Sequence, residues 1–170
     1  MDGFKASLQL LPPKVNVSWK NPVLRAKADL ALLKGMRQGA RAVTTKLEIA
    51  LDQAMDSSIW NWTGMTLRNN GSQVFTPRNI VDMGDLKASR DVRYAHYPNM
   101  TAWTIKYNSP YANMTHYGGY IQPYGNKSAS AVYLPPRPWV ESVLKGGNGI
   151  TKVDLRTPYG KAIKDAWASM

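Results

Sequence analysis

Between Leu24 and Ala54 apolar side chains recur at Ala28, Leu32, Met36, Ala40, Val43, Leu47 and Leu51, spaced by three or four, while Arg25, Asp29, Arg37, Arg41, Glu48 and Asp52 fall mainly between them. That repeat predicts one long amphipathic helix. Asn21-Pro22 marks its start: an Asn side chain caps free amides, and a proline at the first helical position loses no hydrogen bond. Gly35 and Gly39 interrupt the run four residues apart, each costing about 1 kcal/mol relative to alanine in a helix interior. Either a neighbouring element or subunit approaches the backbone closely there, or a surface helix bends. A membrane-dimer reading fails because Lys34, Arg37 and Arg41 surround the pair.

Residues 1–20 combine Leu8, Leu10 and Leu11 with Pro12-Pro13 and a short alternation through Val15, Val17 and Trp19, which reads as an arm or an edge strand. From Ser57 to Met83 periodicity is lost. Trp60, Trp62, Asn69-Asn70-Gly71 and Pro77 predict a long loop with aromatic anchors, a kind of segment that is more often functional or partly mobile. Ser89 to Tyr97 and Thr101 to Asn108, separated by Pro98-Asn99-Met100, read as a hairpin; in its second strand Trp103, Ile105 and Tyr107 alternate with Thr104 and Lys106. Ser109-Pro110 caps a short helix ending at Gly118-Gly119, Ala129 to Leu134 reads as a strand, and Pro138 opens a helix of about two turns that Gly146-Gly147 stops. Thr157-Pro158 opens a last amphipathic helix bearing Ile163, Ala166 and Trp167. The expected fold is α+β, with the long N-terminal helix and the C-terminal helices packed on a small, mainly antiparallel sheet. The expected parts are an arm at 1–20, an α+β connector-like domain at 21–146 and an extension with a helix at 147–170.

The 170 residues suffice for one domain with a core, and 44% hydrophobic residues argue against a disordered chain. Absence of cysteine excludes disulfides, cysteine-ligated zinc, iron–sulfur clusters and thiol nucleophiles. No apolar stretch approaches the roughly 18 residues of a membrane span, so a soluble chain and no membrane partner are expected. The two histidines, His96 and His116, lack an HxxxH or HExxH spacing. If Asp91 and His96 share a strand, their odd separation puts them on opposite faces. No Walker motif or GxSxG elbow occurs. The expectation is a protein that is not an enzyme and has no catalytic site, metal or cofactor. Six Asn-x-Ser/Thr triplets are the chance yield of a chain rich in those residues. The net charge of +11 calls for a polyanion or an acidic partner surface. Basic residues are nevertheless spread along the chain without a recognised nucleic-acid motif.

Three segments occur in order: Val81-Asp82-Met83-Gly84-Asp85-Leu86-Lys87-Ala88-Ser89, Tyr111-Ala112-Asn113-Met114-Thr115-His116-Tyr117-Gly118-Gly119 and Tyr133-Leu134-Pro135-Pro136-Arg137-Pro138-Trp139-Val140. They resemble the D-T-G-x-L-x-x-S, Y-A-x-x-x-E-x-G-T and P-x-R-P-F-L segments of the phage tail-completion and virion-morphogenesis proteins, small neck components of tailed phages. With the long helix before them, the resemblance spans Leu24 to about Leu144. Met83 stands for the usual threonine, His116 for glutamate, Gly119 for threonine and Trp139 for phenylalanine. The residues that carry it are Asp82, Gly84, Leu86, Ser89, Tyr111, Ala112, His116, Gly118, Pro136, Arg137, Pro138 and Trp139, as fold-maintaining or subunit-contact positions. Physically, Gly84 permits a tight turn with Leu86 directed into the core, and Pro136 and Pro138 stiffen the approach to an anchoring Trp139. Arg137 offers a planar fork for a carboxylate.

The resemblance implies a structural virion protein, a head–tail connector or tail-terminator-like ring in the neck, assembled in the bacterial host cytoplasm. The ring would have about six copies, or about twelve on the portal side. Its partners would be copies of itself, neighbouring neck and tail proteins, and DNA passing through the channel. Candidate docking elements are the 1–20 arm, the loop of Trp60 and Trp62, and the C-terminal tail, unless each covers its own core. The alternative is a basic nucleic-acid-binding protein with no virion role.

Overall fold

The Asn21 side chain accepts from the backbone N–H groups of Val23 at 2.9 Å and Leu24 at 3.4 Å, so the first helix begins where the Asn-Pro pair places it. The computed structural model describes residues 4–10, 21–68, 71–81, 84–97, 100–122 and 130–170. Its elements are β1 (Phe4–Leu10), α1 (Pro22–Asp56), β2 (Thr66–Leu67), β3 (Gln73–Val74), α2 (Asp85–Ala88), β4 (Arg90–Tyr97), β5 (Met100–Tyr107), α3 (Ala112–Tyr117), β6 (Gly119–Ile121), β7 (Val132–Leu134), α4 (Trp139–Lys145) and α5 (Arg156–Ala168). The class is α+β, with small antiparallel sheets. The alternation through Val15, Val17 and Trp19 lies outside the described residues, as do Asp82, Met83 and the start of the strand expected from Ala129.

The chain divides into two units. One comprises Ala6–Glu48, Val92–Ile105 and Asp154–Met170. On its part of α1, Ala28, Ala31, Met36, Ala40, Val43, Thr44 and Leu47 are buried, whereas Arg25, Lys34, Arg37 and Arg41 are exposed. The expected apolar face is present, except that Leu24 stays exposed in the first turn and Leu32 is only half-buried. Strands β1, β5 and β4 form one sheet in that order, placing β1 at an edge. Neighbouring strands joined across two residues, as β4 and β5 are, run antiparallel. Along β5 burial alternates, with Thr101, Trp103, Ile105 and Tyr107 buried, as the period of two predicts.

Gly35 and Gly39 are where α5 meets α1. A Cβ at Gly35 would lie 2.8 Å from Ile163 Cα and 3.2 Å from the Ala162 carbonyl oxygen, and one at Gly39 2.6 Å from Tyr159 Cδ2. Of the two sequence readings, close approach by a neighbouring element is therefore the one observed. The start of α5 differs from expectation. Asp154 Oδ1 accepts from the N–H groups of Arg156 (3.0 Å) and Thr157 (3.2 Å). Asp154, rather than Thr157, supplies the capping oxygen to a helix whose N-cap residue is Leu155, and Pro158 falls inside the first turn, where its missing donor has no intrahelical partner to lose. Hydrogen bonds from Thr157 hold the Asp154 carboxyl below its usual range.

The other unit comprises Met1–Lys5, Ile49–Asp91 and Lys106–Val153. The end of α1 contributes Leu51, Ala54 and Met55 to its core. The segment from Ser57 to Met83, expected to be a long loop with aromatic anchors, is tied down at several of its described residues. Trp60 and Arg78 exchange both backbone hydrogen bonds (3.1 and 2.9 Å), and Ile80 N–H donates to the Met55 carbonyl at 2.9 Å. Between them β2 and β3 pair antiparallel, Thr66 opposite Val74 and Leu67 opposite Gln73. Strands of two residues are too short to show an alternation, which is why sequence periodicity missed them. Gly84 adopts φ 91°, as the tight-turn reading requires, whereas Leu86 is only half-buried rather than in the core.

Candidate functional site

The second and third resembling segments are built into one nucleus. Helix α3 has Tyr111, not the expected Ser109-Pro110 pair, at its N-cap; Ser109 Oγ accepts from Tyr111 N–H at 3.3 Å in the turn before it, and Gly118 closes the helix at φ 73°. A Cβ at Gly118 would stand 2.6 Å from the Leu134 carbonyl oxygen and 2.7 Å from Pro136 N, so the chain before α4 is seated directly on that glycine. Just beyond, Arg137 N–H donates to the His116 carbonyl at 3.1 Å. Strands β6 and β7 continue the contact, Gly119 opposite Leu134 and Tyr120 opposite Tyr133. Pro138 precedes α4, and Gly146 at φ 83° ends it.

Trp139 is fully buried at the centre. Its ring meets that of His116 edge to face at 4.6 Å and that of Tyr107 at 6.1 Å. His116 is also fully buried, not a surface or partly packed histidine as its sequence context allowed. Its Nε2 lies 2.5 Å from Glu141 Oε2 on the first turn of α4. Burial lowers the imidazole below its ordinary pKa of 6.5, and the Glu141 carboxylate works against that shift. At neutral pH the ring is therefore uncharged and set against the carboxylate. The buried imidazole thus meets an acid of its own chain.

Arg137 leads to the least expected feature of the site. Its Cζ lies 3.6 Å from the centroid of the Trp62 ring, and Arg78 Cζ lies 3.5 Å from the same centroid. Two guanidinium groups that close to one ring centre cannot share a face, so Trp62 is sandwiched between them. Arg137 is 1% exposed and Arg78 8% exposed, while Trp62 is half-buried. Among the described residues no acceptor lies within hydrogen-bonding distance of Nε, Nη1 or Nη2 of Arg137, or of the Trp62 indole N–H. Burial and the neighbouring Arg78 charge bring the Arg137 guanidinium down to about 10.

The remaining sequence candidates are placed as follows. Ala112 is buried and Tyr111 is exposed beside it. Ser89 Oγ donates to the Leu86 carbonyl at 2.8 Å, and the Ser89 carbonyl accepts from Asn108 N–H at 3.0 Å, which ties the first resembling segment to the end of β5. Asp82 lies outside the described residues. Trp60 is buried, with its indole N–H donating to the Ala54 carbonyl at 2.7 Å, so it covers its own core. Arg78 and Glu141 were not singled out from sequence. Glu141 had a faint signal, an acid in the first turn after Pro138; Arg78 had none, because its role depends on the pairing of its backbone with Trp60.

Chemically, the nucleus offers buried cations stacked on an aromatic ring and a neutral histidine on a carboxylate. Among the described residues no three or more of His, Asp and Glu gather where they could hold a metal ion, and no helix is long and apolar enough to cross a membrane. No family model, curated protein or solved structure matches the chain.

Proposed function

We propose that this chain is a structural component of a tailed-phage virion, a ring-forming neck or tail-completion protein that joins head and tail. The observation that carries the reading is how the resembling segments divide between core and surface. Ala112, His116, Arg137 and Trp139 are buried together, whereas Tyr111, Tyr117 and Tyr133 on the same segments, and Tyr120 just after the second, are 69%, 63%, 47% and 71% exposed. Tyrosine is enriched at protein interfaces because a rigid, amphipathic ring gains contact area at little entropic cost. Tyr117 meets the His116 ring at 4.7 Å and Tyr120 meets Tyr133 at 5.3 Å, yet each leaves about half or more of its surface open beside a sealed core. A ring of identical chains needs such a surface and a second, different one to receive it. The charge of +11 suits acidic neighbouring rings or DNA passing nearby.

Sedimentation velocity of the purified chain, alone and mixed with candidate neck proteins, tests this. The expected result is a closed oligomer of about six or about twelve copies. A chain that stays monomeric in every mixture and is absent from intact particles would defeat the reading.

One observation favours a rival. Lys34, Arg37 and Arg41 are exposed along α1, and a nucleic-acid binder without a virion role would use such a stripe. It predicts tight DNA binding by the monomer, with log affinity falling against log salt at a slope of about −3 if those three cations each meet a phosphate. Negligible binding near physiological salt removes it.

A further inference from the structure

We propose that Arg137, stacked on Trp62 opposite Arg78, is a binding site for a carboxylate that the described chain does not itself supply. Three observations within one unit support it. First, Arg137 is 1% exposed, and none of its three nitrogens has an acceptor among the described residues. A guanidinium has five N–H donors and stays protonated, so burying it without an acceptor is strongly unfavourable; buried charges in folded proteins are paired. Second, the Trp62 indole N–H also lacks an acceptor, so two donors of one stack await an oxygen. Third, Trp62 cannot serve as the counter-charge. Its π-face attracts cations, but it faces two of them, Arg137 at 3.6 Å and Arg78 at 3.5 Å.

The chemistry of the acceptor follows from the site. One guanidinium is without a partner, so one negative charge neutralises it. The guanidinium fork presents two parallel N–H groups in a plane, which matches the two oxygens of a carboxylate. A phosphate dianion would bring excess charge and oxygens out of that plane. Trp62 is the only half-buried member of the stack, and its neighbours Asn61, Thr63 and Gly64 are exposed, so the carboxylate arrives along the edge that Trp62 occupies. The inference does not depend on ring assembly: a free organic acid and an acidic side chain of another polypeptide have the same chemistry.

The test uses the full chain, with sodium acetate as the probe against sodium chloride and sodium phosphate at equal ionic strength. The readouts are the thermal midpoint and tryptophan emission. At acetate about tenfold above its dissociation constant, the midpoint should rise by about 4 °C over chloride, with a change in emission. Arg137→Met should fold and lose the acetate response, and Arg137→Lys, which keeps the charge without the fork, should lose most of it. Trp62→Phe removes the indole donor and the reporter together, so it should lose the emission change and keep only part of the midpoint shift. If Arg137→Met fails to fold, Arg137→Lys carries the comparison. Equal midpoints in acetate and chloride for the unmodified chain would overturn the proposal, as would an acetate response that survives in Arg137→Met or is undiminished in Arg137→Lys. A larger shift in phosphate than in acetate overturns the carboxylate assignment. Acetate that also breaks up a self-associated form supports the site and assigns the native carboxylate to a second copy; stabilisation at unchanged mass supports it and assigns a free acid or another protein.

Discussion

Arg137 N–H donates to the His116 carbonyl at 3.1 Å, and this bond joins two segments that lie about twenty residues apart in the chain. The rest of the nucleus follows from the same seam. The polypeptide turns at Gly118, runs out through β6, returns through β7 and passes over Gly118 before α4 begins.

Gly118 should therefore be among the least replaceable residues of its unit. Gly118→Ala combines a left-handed backbone with a Cβ 2.6 Å from a main-chain oxygen, and should cost about 3 kcal/mol. Gly84→Ala also meets a positive φ, 91°, but in the αL region that other residues can enter and with open space around it, and should cost only about 1 kcal/mol. Urea unfolding of the two variants measures the difference.

The glycines of α1 give a prediction of opposite sign to helix propensity. Alanine is the better helix former by about 1 kcal/mol, yet Gly35→Ala should destabilise by about 2 kcal/mol, because Ile163 Cα stands 2.8 Å from the new methyl. Gly160→Ala on α5 meets nothing within 4 Å and should stabilise by about 0.5–1 kcal/mol. Both are read by thermal or urea denaturation.

His116 makes stability depend on pH. Its folded pKa lies below the ordinary 6.5 because burial disfavours the charged ring. As pH falls through 6.5 the unfolded chain takes up a proton that the folded chain does not, so stability contributed by the neutral ring is present above that pH and lost below it. The loss levels off once the folded ring protonates too. Urea midpoints measured between about pH 5 and pH 8 should slope upward in the unmodified chain, and the slope should flatten in His116→Gln.

The two tryptophans offered as docking anchors should behave differently. Trp60→Ala removes a buried ring and its bond to Ala54, and should cost about 3–5 kcal/mol. Trp62→Ala strips the shared ring from two buried guanidinium groups, for a loss of about 1–3 kcal/mol. Trp62→Phe should recover most of that, since it keeps a π-face. Chemical denaturation separates the three.

What could be read beforehand was local. The periodicity of α1, the Asn21 cap, the β4–β5 hairpin and the glycine stop after α4 each depend on residues within a few positions of one another. What could not be read depends on distant pairing. The His116–Glu141 contact and the Trp62 sandwich exist only because the chain returns on itself, and β2 and β3 are too short to leave a period. The glycine pair at 35 and 39 lay between these cases, because spacing indicated a close approach without naming α5 as the element that makes it.

The most direct measurement is whether this chain is part of a tailed-phage particle and, if so, where it sits. A compact electron-dense tag joined after Met170, which is 52% exposed, should appear by electron microscopy as one ring of density where the head meets the tail, with about six or about twelve tags per particle. Particles that form with normal necks and carry no tag, or tag scattered over the head or the tail shaft, would contradict the account.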